Sequence, residues 1–357
     1  METSMKRNRL ITILLLTCIL FSVSMTASCG QKKKFSAHSL DYFDTATTVV
    51  GYEHDKASFD EVSGEIISML GEYHRLFTIY HRFEGMENLC TVNELKNGVH
   101  RKVTVDGRII DMLSFAAEMY SKTDGMINVA MGSVLSIWHD YRTAGIDDPS
   151  TAELPPMDKL KEAALHTSIE DIVIDRENST VWLSDPLMSL DVGAIAKGYA
   201  VEMVARAMEE KGVTGYVINV GGNVRTVGSK PDGEGWLTGI ENPDTDSDEP
   251  YIEYLSLSGE SIVTSGSYQR YYTVGDKSYH HIIAPATLMP AEGYLSVSVV
   301  SKSSAEGDAL STALFCMPLE DGKALVESLP DVEAMWVMSD STSHRSSGFD
   351  GYVAKNK

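Results

Sequence analysis

Two oxygen-bearing side chains in the segment AEGDALSTALF (305–315) could share a metal ion. Asp308 and Thr312 are four residues apart, so a helix would place both of them on one face. A carboxylate and a hydroxyl are hard oxygen ligands that suit Mg²⁺, which commonly completes its coordination with phosphate oxygens. Alternatively, Asp308 is the N-cap of this helix and Thr312 is buried, and the spacing alone favours that simpler interpretation.

The segment DVGAIAKGYA (191–200) could bind a phosphate. It leads into a predicted helix over 195–211, which Gly212 would end. The free amides of the first helical turn, together with Lys197, would attract an anion. Asp191 could instead serve only as the N-terminal cap of the helix.

Paired histidines occur in HHIIAPATLMP (280–290), before a turn predicted at Pro285. His281 and its neighbour could bind a metal, transfer a proton or form hydrogen bonds in a core. The absence of a carboxylate at a fixed spacing argues against zinc. Upstream, VTSGSYQRYY (263–272) is expected to bring Thr264, Ser265 and Gly266 into a tight bend.

The glycine-rich segment INVGGNVRTVG (218–228) resembles a nucleotide-binding loop only superficially. A strand precedes Gly221 and a second strand follows Asn223, which is the pattern of a hairpin with left-handed turn residues. A P-loop would need a lysine, and a dinucleotide-binding fingerprint would need a helix after the glycines. The segment is therefore interpreted as a structural turn.

The N-terminus has the features of an export signal. Lys6, Arg7 and Arg9 precede an apolar run over 10–23, and small residues lead into Cys29. This pattern predicts a signal peptide over 1–28 and lipid attachment at Cys29, although a plain cleaved signal peptide is the alternative. Either way the protein is exported, and the lipid would anchor it on the periplasmic face of the inner membrane or on the cell surface.

The composition excludes one class of partner. The net charge is −21, and no basic stripe interrupts it, so binding to nucleic acid is not expected. Residues 29–39 are predicted to be a tether, and residues 40–345 to be one catalytic domain.

Periodicity predicts the elements that must position these groups. Helices are expected over about 59–76, from 107, over 195–211 and from about 309, and 143–158 is expected to be a turn-rich connection. Strands are expected over 41–52, 172–174, 181–183, 216–220, 224–227, 236–240, 251–257, 261–264, 268–274, 295–300 and 334–338. This mixed order with long antiparallel runs indicates an α+β fold.

Taken together, these motifs resemble the ApbE family of FAD:protein FMN transferases over about residues 40–340. The matching segments, in family order, are TDGMINVAMGSVLSIW (123–138), LDVGAIAKGYA (190–200), INVGGNV (218–224), GIENP (239–243), VTSGSYQRYY (263–272), HHIIAPATLMP (280–290) and GDALSTALF (307–315). The resemblance implies a T-fold-like architecture with mixed, largely antiparallel sheets, packed helices and one FAD cleft.

The resemblance also assigns roles. It implies that Mg²⁺ is held by Asp308, Thr312 and the backbone carbonyl of Ala194, and that His281 transfers a proton. It implies FAD contacts from Phe43, Met126, Ile127, Asn128, Asp191, Lys197, Thr264, Ser265, Gly266, His281 and Ile282. The expected reaction transfers FMN from FAD to a threonine or serine of a membrane redox protein and releases AMP.

This chain departs from the family pattern at several positions. Ala284 replaces a frequent aspartate, Leu288 and Met289 stand near a usual glycine, and Phe43 replaces a frequent methionine. Ile127 and Asn128 replace a common Phe-Asp pair. Because the missing carboxylate could reduce the basicity of His281, an FAD-binding store and a Mg²⁺-dependent FAD pyrophosphatase remain alternatives to the transferase.

Overall fold

Antiparallel pairing dominates the fold, as the sequence predicts. The computed structural model describes residues 31–355, and eight of its strands form one sheet in the order β1-β2-β8-β9-β12-β15-β16-β17. Every neighbouring pair in this sheet is antiparallel. In chain order the strands are β1 (Lys33–Ser39), β2 (Thr47–Glu53), β3 (Leu95–Lys96), β4 (Val99–His100), β5 (Val103–Thr104), β6 (Ile172–Asp175), β7 (Thr180–Leu183), β8 (Tyr216–Val220), β9 (Asn223–Val227), β10 (Trp236–Glu241), β11 (Tyr251–Leu257), β12 (Ser261–Gly266), β13 (Tyr271–Val274), β14 (Lys277–His280), β15 (Tyr294–Ser301), β16 (Glu333–Met338) and β17 (Ser343–Arg345).

Four of the eight helices among residues 31–355 begin where a side chain satisfies a free amide of the first turn. Asp55 and Asp106 cap α1 and α3, and Ser303 caps α7, each by accepting a hydrogen bond from a backbone amide. The helices are α1 (Lys56–Phe77), α2 (Leu89–Val92), α3 (Gly107–Lys122), α4 (Gly132–Asp147), α5 (Met157–Ala163), α6 (Ala196–Glu210), α7 (Ser304–Cys316) and α8 (Leu319–Ser328). Mixed helices and antiparallel sheets confirm the predicted α+β class.

The large sheet is buried on both faces because its strands alternate between two hydrophobic clusters. Val299 and Trp336 face the main core with the helices, whereas Val300 and Val337 face a second cluster. The second cluster is covered by the β10–β11 hairpin. Helices α6 and α7 pack against each other and against the middle of the sheet. This central position makes their shared interface a rigid location for a site.

A third cluster supports the opposite wall of the site. It joins α4 to the β13–β14 hairpin through buried residues that include Trp138 and Tyr272. The Trp138 indole donates a hydrogen bond to the Leu288 carbonyl oxygen at 2.9 Å, which fixes α4 to the turn after the paired histidines.

Several boundary predictions were wrong. Residues 33–39, expected in a tether, form β1, whose full register with β2 includes Ser39 opposite Thr47. The predicted connection over 143–158 is entered by the end of α4 and holds the start of α5. The Thr264–Gly266 segment is not a bend, because the β12–β15 ladder continues to Gly266 opposite Ser296. The single strand expected over 268–274 is instead the hairpin β13–β14.

The predicted signal peptide and Cys29 lie outside the described residues. Within residues 31–355, no helix combines the length and the apolar character that crossing a bilayer requires.

Candidate active site

One cavity of about 410 Å³ gathers the side chains that the sequence singles out. Its wall is built from segments far apart in the chain, which only the folded sheet and the α6–α7 pair bring together. The predicted residues that line it are Met126, Ile127, Asn128, Asp191, Ala194, Lys197, Thr264, Ser265, Gly266, His281, Ile282, Asp308 and Thr312. Their individual roles stay predictions.

Phe43 does not line this cavity. Its backbone and that of Asp44 are left-handed, with φ of 58° and 52°. This turn directs the Phe43 ring edge-on against His74, at 5.3 Å between ring centroids, while Asp44 and Thr45 line the cavity. The Phe43 amide also donates to His74 Nδ1 at 3.1 Å. The flavin contact predicted for Phe43 is therefore not placed at this cavity by the structure.

Close contact between α6 and α7 positions the predicted metal ligand. Asp308 lies within α7, well after its N-cap, so the simpler N-cap interpretation was wrong. Its side chain is only 4% exposed, and its Oδ2 accepts a hydrogen bond from the Gly198 amide at 2.8 Å. A Cβ atom at Gly198 would lie 2.3 Å from both the Asp308 Cβ and the Ser304 carbonyl oxygen. The helices can approach this closely because residue 198 is glycine.

The third predicted ligand, the Ala194 carbonyl, belongs to a residue that precedes α6 and lines the cavity. Gly198 is the third residue of α6, so its amide is one of the first-turn amides that have no carbonyl acceptor within the helix. The Asp308 carboxylate satisfies this amide from the neighbouring helix. A carboxylate, a hydroxyl and a carbonyl form an all-oxygen donor set, which fits Mg²⁺. Residues 31–355 contain no cluster of three His, Cys, Asp or Glu side chains able to hold a metal, as zinc would favour.

Burial and a nearby lysine act in opposite directions on the pKa of the Asp308 carboxyl group. Burial raises the pKa of its carboxyl group, while Lys197, the Gly198 amide and the Asn223 side chain oppose this rise. Lys197 Nζ is 3.8 Å from Asp308 Oδ1. A cation bound beside this carboxylate would favour the ionised form.

Hydroxyl groups on β12 connect the sheet to α7. Ser265 Oγ is 2.9 Å from Ser311 Oγ and 3.2 Å from Thr312 Oγ1, and Thr264 Oγ1 is 2.8 Å from Ser298 Oγ. These contacts fix the Thr312 hydroxyl in the wall that also contains Asp308. The strand conformation of this segment, rather than a bend, presents Ser265 to the helix.

Asp191 and Asn128 organise the loops on either side of the cavity. Asp191 Oδ1 accepts from the Gly193 amide at 2.8 Å, and α6 begins only at Ala196, so Asp191 is not the helix N-cap. Burial raises the pKa of the Asp191 carboxyl group. The Asn128 amide donates to the Thr167 carbonyl oxygen and accepts from the Ala130 amide, both at 2.9 Å. The Asn128 side chain therefore holds its own loop in place.

The His281 side chain is neutral at physiological pH. Burial and the nearby cationic side chains of Arg270 and Arg142 lower its pKa to about 3. Its Nδ1 lies 3.2 Å from the Arg270 carbonyl oxygen, which can only accept, so the neutral ring carries its proton on Nδ1. Nε2 then has a free lone pair for a proton.

Sequence reasoning missed a basic and aromatic wall opposite the α6–α7 pair. Arg142, Arg270, His139 and Tyr80 all line the cavity. Neither arginine forms an ion pair with a carboxylate of residues 31–355. Burial and then Arg270 lower the pKa of Arg142, which donates to His139 Nδ1 at 3.1 Å. The helical spacing of His139 and Arg142 could have suggested a shared face, but α4 itself was not predicted there.

Comparisons with known proteins show the family of the chain. The sequence profile of the ApbE family matches residues 43–336, which is most of the chain. The chain belongs to the ApbE family. A relative from Klebsiella pneumoniae (strain 342), named FAD:protein FMN transferase, is 30% identical over 288 residues, covering 80% of this chain and 84% of the relative. A Treponema pallidum protein of the same name is 30% identical over 260 residues, covering 69% and 70%.

Solved ApbE structures share the fold. The ApbE protein of Thermotoga maritima superposes with a TM-score of 0.76 at 25% identity, covering 90% of this chain and all of that chain. The flavin transferase ApbE from Vibrio cholerae gives a TM-score of 0.73 at 24% identity, covering 90% and 99%. The predicted family and architecture are therefore confirmed.

The turn that follows His281 in this ApbE chain closes without an acidic side chain. The Ala284 carbonyl oxygen accepts from the Leu288 amide at 2.9 Å, and the Ala284 amide donates to the Met289 carbonyl oxygen at 2.9 Å. Leu288 takes a left-handed conformation, with φ of 58°, near the position where the family pattern has glycine. Backbone hydrogen bonds thus preserve the turn, and the charged groups nearest His281 are cationic.

A buried ion pair fixes the elements of the ApbE site relative to each other. Glu202 on α6 and Arg225 on β9 are 2% and 4% exposed, and Glu202 Oε2 is 3.1 Å from Arg225 Nε. Glu202 Oε2 also accepts from the amide of Ser304, the first residue of α7, at 2.8 Å. One carboxylate therefore joins the strand and both helices one turn away from Gly198 and Asp308.

Proposed function

We propose that this protein is an FAD:protein FMN transferase that works with Mg²⁺ on an acceptor protein outside the cytoplasm. The observation that carries the proposal is the gathering, around one cavity, of a buried carboxylate, a hydroxyl and the residue Ala194, beside Lys197 and a neutral His281. Relatives of similar length are named FAD:protein FMN transferase, which supports the same reaction here.

The reaction joins the acceptor to the flavin half of FAD. The oxygen of a threonine or serine hydroxyl forms a bond to the phosphorus on the FMN side of the diphosphate. The bond from that phosphorus to the bridging oxygen breaks, and AMP leaves with the bridging oxygen. The hydroxyl proton passes to a base, so the products are a flavinylated side chain and AMP.

The cavity residues would contribute to this reaction in three ways. Asp308, Thr312 and the Ala194 carbonyl would hold Mg²⁺, which supplies charge neutralisation for the diphosphate and the leaving phosphate. Lys197, in the first turn of α6, orients the diphosphate with its positive charge. His281 accepts the hydroxyl proton at Nε2, since an aliphatic hydroxyl is a poor nucleophile at neutral pH.

The proposed location follows from the first residues of the chain. Lipid attached at Cys29 would keep the enzyme on the membrane surface that also carries a redox protein with a flavinylation site. A radiolabelled fatty acid should be incorporated into the wild-type protein in cells, and Cys29→Ala should abolish the incorporation. Persistent labelling of the variant would rule out Cys29 as the anchor.

The activity is tested with purified protein, FAD, MgCl₂ and an acceptor domain. We expect covalent flavin fluorescence on the denatured acceptor and one AMP per flavin transferred. Asp308→Asn retains an acceptor for the Gly198 amide and should lose the magnesium-dependent turnover. Asp248→Ala, at an exposed position in the β10–β11 loop, is the matched control and should behave as wild type.

Other outcomes separate the alternatives. AMP release without any acceptor would indicate an FAD pyrophosphatase. FAD that stays bound and intact would indicate a flavin store, which the lack of an acidic partner for His281 favours. Failure to bind FAD at all would refute a flavin function.

A further inference from the structure

Asn223 is a buried polar residue of the cavity for which the reaction above has no use. It is the first residue of β9, directly after the Gly221–Gly222 turn. Its backbone pairs with Val220 on one side and with Val263 on the other, so the residue cannot move out of the sheet. The side chain is only 2% exposed and lines the cavity.

The Asn223 carbonyl group lacks a partner. Its side chain lies close enough to the Asp308 carboxylate to oppose the rise in the pKa of that group. Because an ionised carboxylate only accepts hydrogen bonds, the Nδ2 group is the part of Asn223 that can face it. Oδ1 is left buried with no hydrogen-bond partner among residues 31–355. An unsatisfied buried acceptor is costly to folding, and such atoms commonly mark a place where a ligand binds.

The atoms around Oδ1 show which ligand chemistry fits. The same cavity wall presents the Asp308 carboxylate, the Thr312 hydroxyl and the Ala194 carbonyl. Of these three groups and Asn223 Oδ1, all except the Thr312 hydroxyl can only accept hydrogen bonds. The nearest cation, Lys197, is 3.8 Å from Asp308 Oδ1. A surplus of oxygen acceptors with one distant ammonium is better satisfied by a divalent cation than by a hydrogen-bond donor, since a cation can contact several oxygens at once.

We infer that Asn223 Oδ1 is a further oxygen ligand of the divalent cation, in addition to Asp308, Thr312 and the Ala194 carbonyl. The inference rests on the proposed function, because it concerns the same cation site. It gives the turn formed by Gly221, Gly222 and Asn223 a direct role in binding the cation, where the sequence alone indicates only a hairpin. It also explains how a site with one carboxylate can hold Mg²⁺ beside the diphosphate.

Calorimetric titration of MgCl₂ into the protein with saturating FAD tests the inference. Asn223→Ala should weaken Mg²⁺ binding by about tenfold or more while FAD affinity measured without metal is unchanged. Asn88→Ala is the control, because Asn88 is similarly buried, does not line the cavity and has satisfied side-chain hydrogen bonds. That variant should lose stability and retain the wild-type Mg²⁺ affinity.

A second variant tests direct contact and does not depend on activity. Asn223→Cys places a thiol at the Oδ1 position, so CdCl₂ should give a cadmium–thiolate absorption band that wild type, with Cys90 and Cys316, does not show. MgCl₂ should bind this variant more weakly than wild type.

The outcomes distinguish this inference from the proposed function. If wild type binds no Mg²⁺, or if Asp308→Asn binds it as well as wild type, the proposed cation site fails altogether. If Asp308→Asn loses binding but Asn223→Ala retains the wild-type affinity, only the assignment of Asn223 is overturned. An Asn223→Cys variant without the cadmium band overturns it in the same way.

Discussion

Gly198→Ala should separate the two helices that form the cation site. In most helices this change is favourable by about 1 kcal/mol, because alanine restricts the unfolded chain and has the higher helix propensity. At Gly198 the added methyl group would lie 2.3 Å from the Asp308 Cβ and 2.3 Å from the Ser304 carbonyl oxygen. Neither atom is the end of a flexible side chain, so rotation of a side chain cannot relieve the contact.

The size of the effect follows from these distances. Carbon atoms pack at about 3.5–4.0 Å, so relief of the 2.3 Å contact requires α6 and α7 to move apart by about 1–2 Å. Overpacking of this kind costs about 1–3 kcal/mol, which exceeds the helix-propensity gain in most of that range. We expect a net loss of about 1 kcal/mol in the free energy of unfolding. A shift of about 1 Å at the Asp308 carboxylate should reduce turnover by about 100-fold.

Urea unfolding and the FMN-transfer assay test both parts. Gly64→Ala is the matched control, because Gly64 lies within α1 and no atom lies within 4 Å of its added methyl group. The control should be more stable than wild type by about 0.5–1 kcal/mol and fully active. If Gly198→Ala proved as stable and as active as Gly64→Ala, the close packing of α6 on α7 would not position Asp308.

Three further outcomes follow. His281, with a pKa of about 3, should stay neutral and active as a base between pH 8 and pH 5, so its ring NMR signals should not titrate in this range, and an NMR midpoint near pH 6.5 would contradict its buried, cationic environment. In the unfolded protein the ring takes up a proton below about pH 6.5. This residue should therefore lower the folding stability as the pH falls from about 6.5 to about 3. Ala284→Asp should raise the His281 pKa by opposing the nearby arginines, and an unchanged NMR midpoint would show that the position is too distant. Glu202→Gln should lower the free energy of unfolding in urea by about 3 kcal/mol, since Arg225 stays buried with only Glu209 as its ion-pair partner. Lys277→Gln, at an exposed ion pair, is the control. If Glu202→Gln loses no more stability than this control, the buried pair does not hold the helices together.

Local patterns were sufficient to predict most of the large sheet. The strands at 216–220 and 251–257 have the predicted bounds, because alternating burial and clear turn residues define both of their ends. The left-handed Gly221 and Gly222 form the predicted hairpin turn for the same reason. These features depend on neighbouring residues, which a sequence shows directly.

Features that depend on tertiary pairing were not predictable in this way. Residues 33–39 are mostly polar, and they form a strand because β2 offers an edge and because Phe35 and Ala37 pack against the main core. Helix α7 begins at Ser304, before the apolar residues that suggested a start near 309, because Ser303 caps it.

The site shows the same division. The spacing of Asp308 and Thr312 was visible in the sequence, but the hydrogen bond from the Gly198 amide to Asp308 requires two packed helices. Arg142 and His139 were missed because α4 has only a weak amphipathic pattern, and nothing local indicates that it faces the paired histidines.

If Cys29 carries the proposed lipid, the early start of β1 restricts how far the enzyme could work from a bilayer. With the sheet beginning at Lys33, only residues 30–32 would separate a lipid-modified Cys29 from the folded body, a reach of about 10–14 Å even when fully extended. Lys32, Lys33 and Lys34 at this edge would then lie among the headgroups, where anionic lipids attract them. The catalytic domain would rest on the membrane surface rather than sample the space above it. An acceptor would therefore have to present its hydroxyl close to that surface. The short connection over residues 30–32 would favour acceptor proteins whose flavin-bearing loop lies at a matching distance from the membrane.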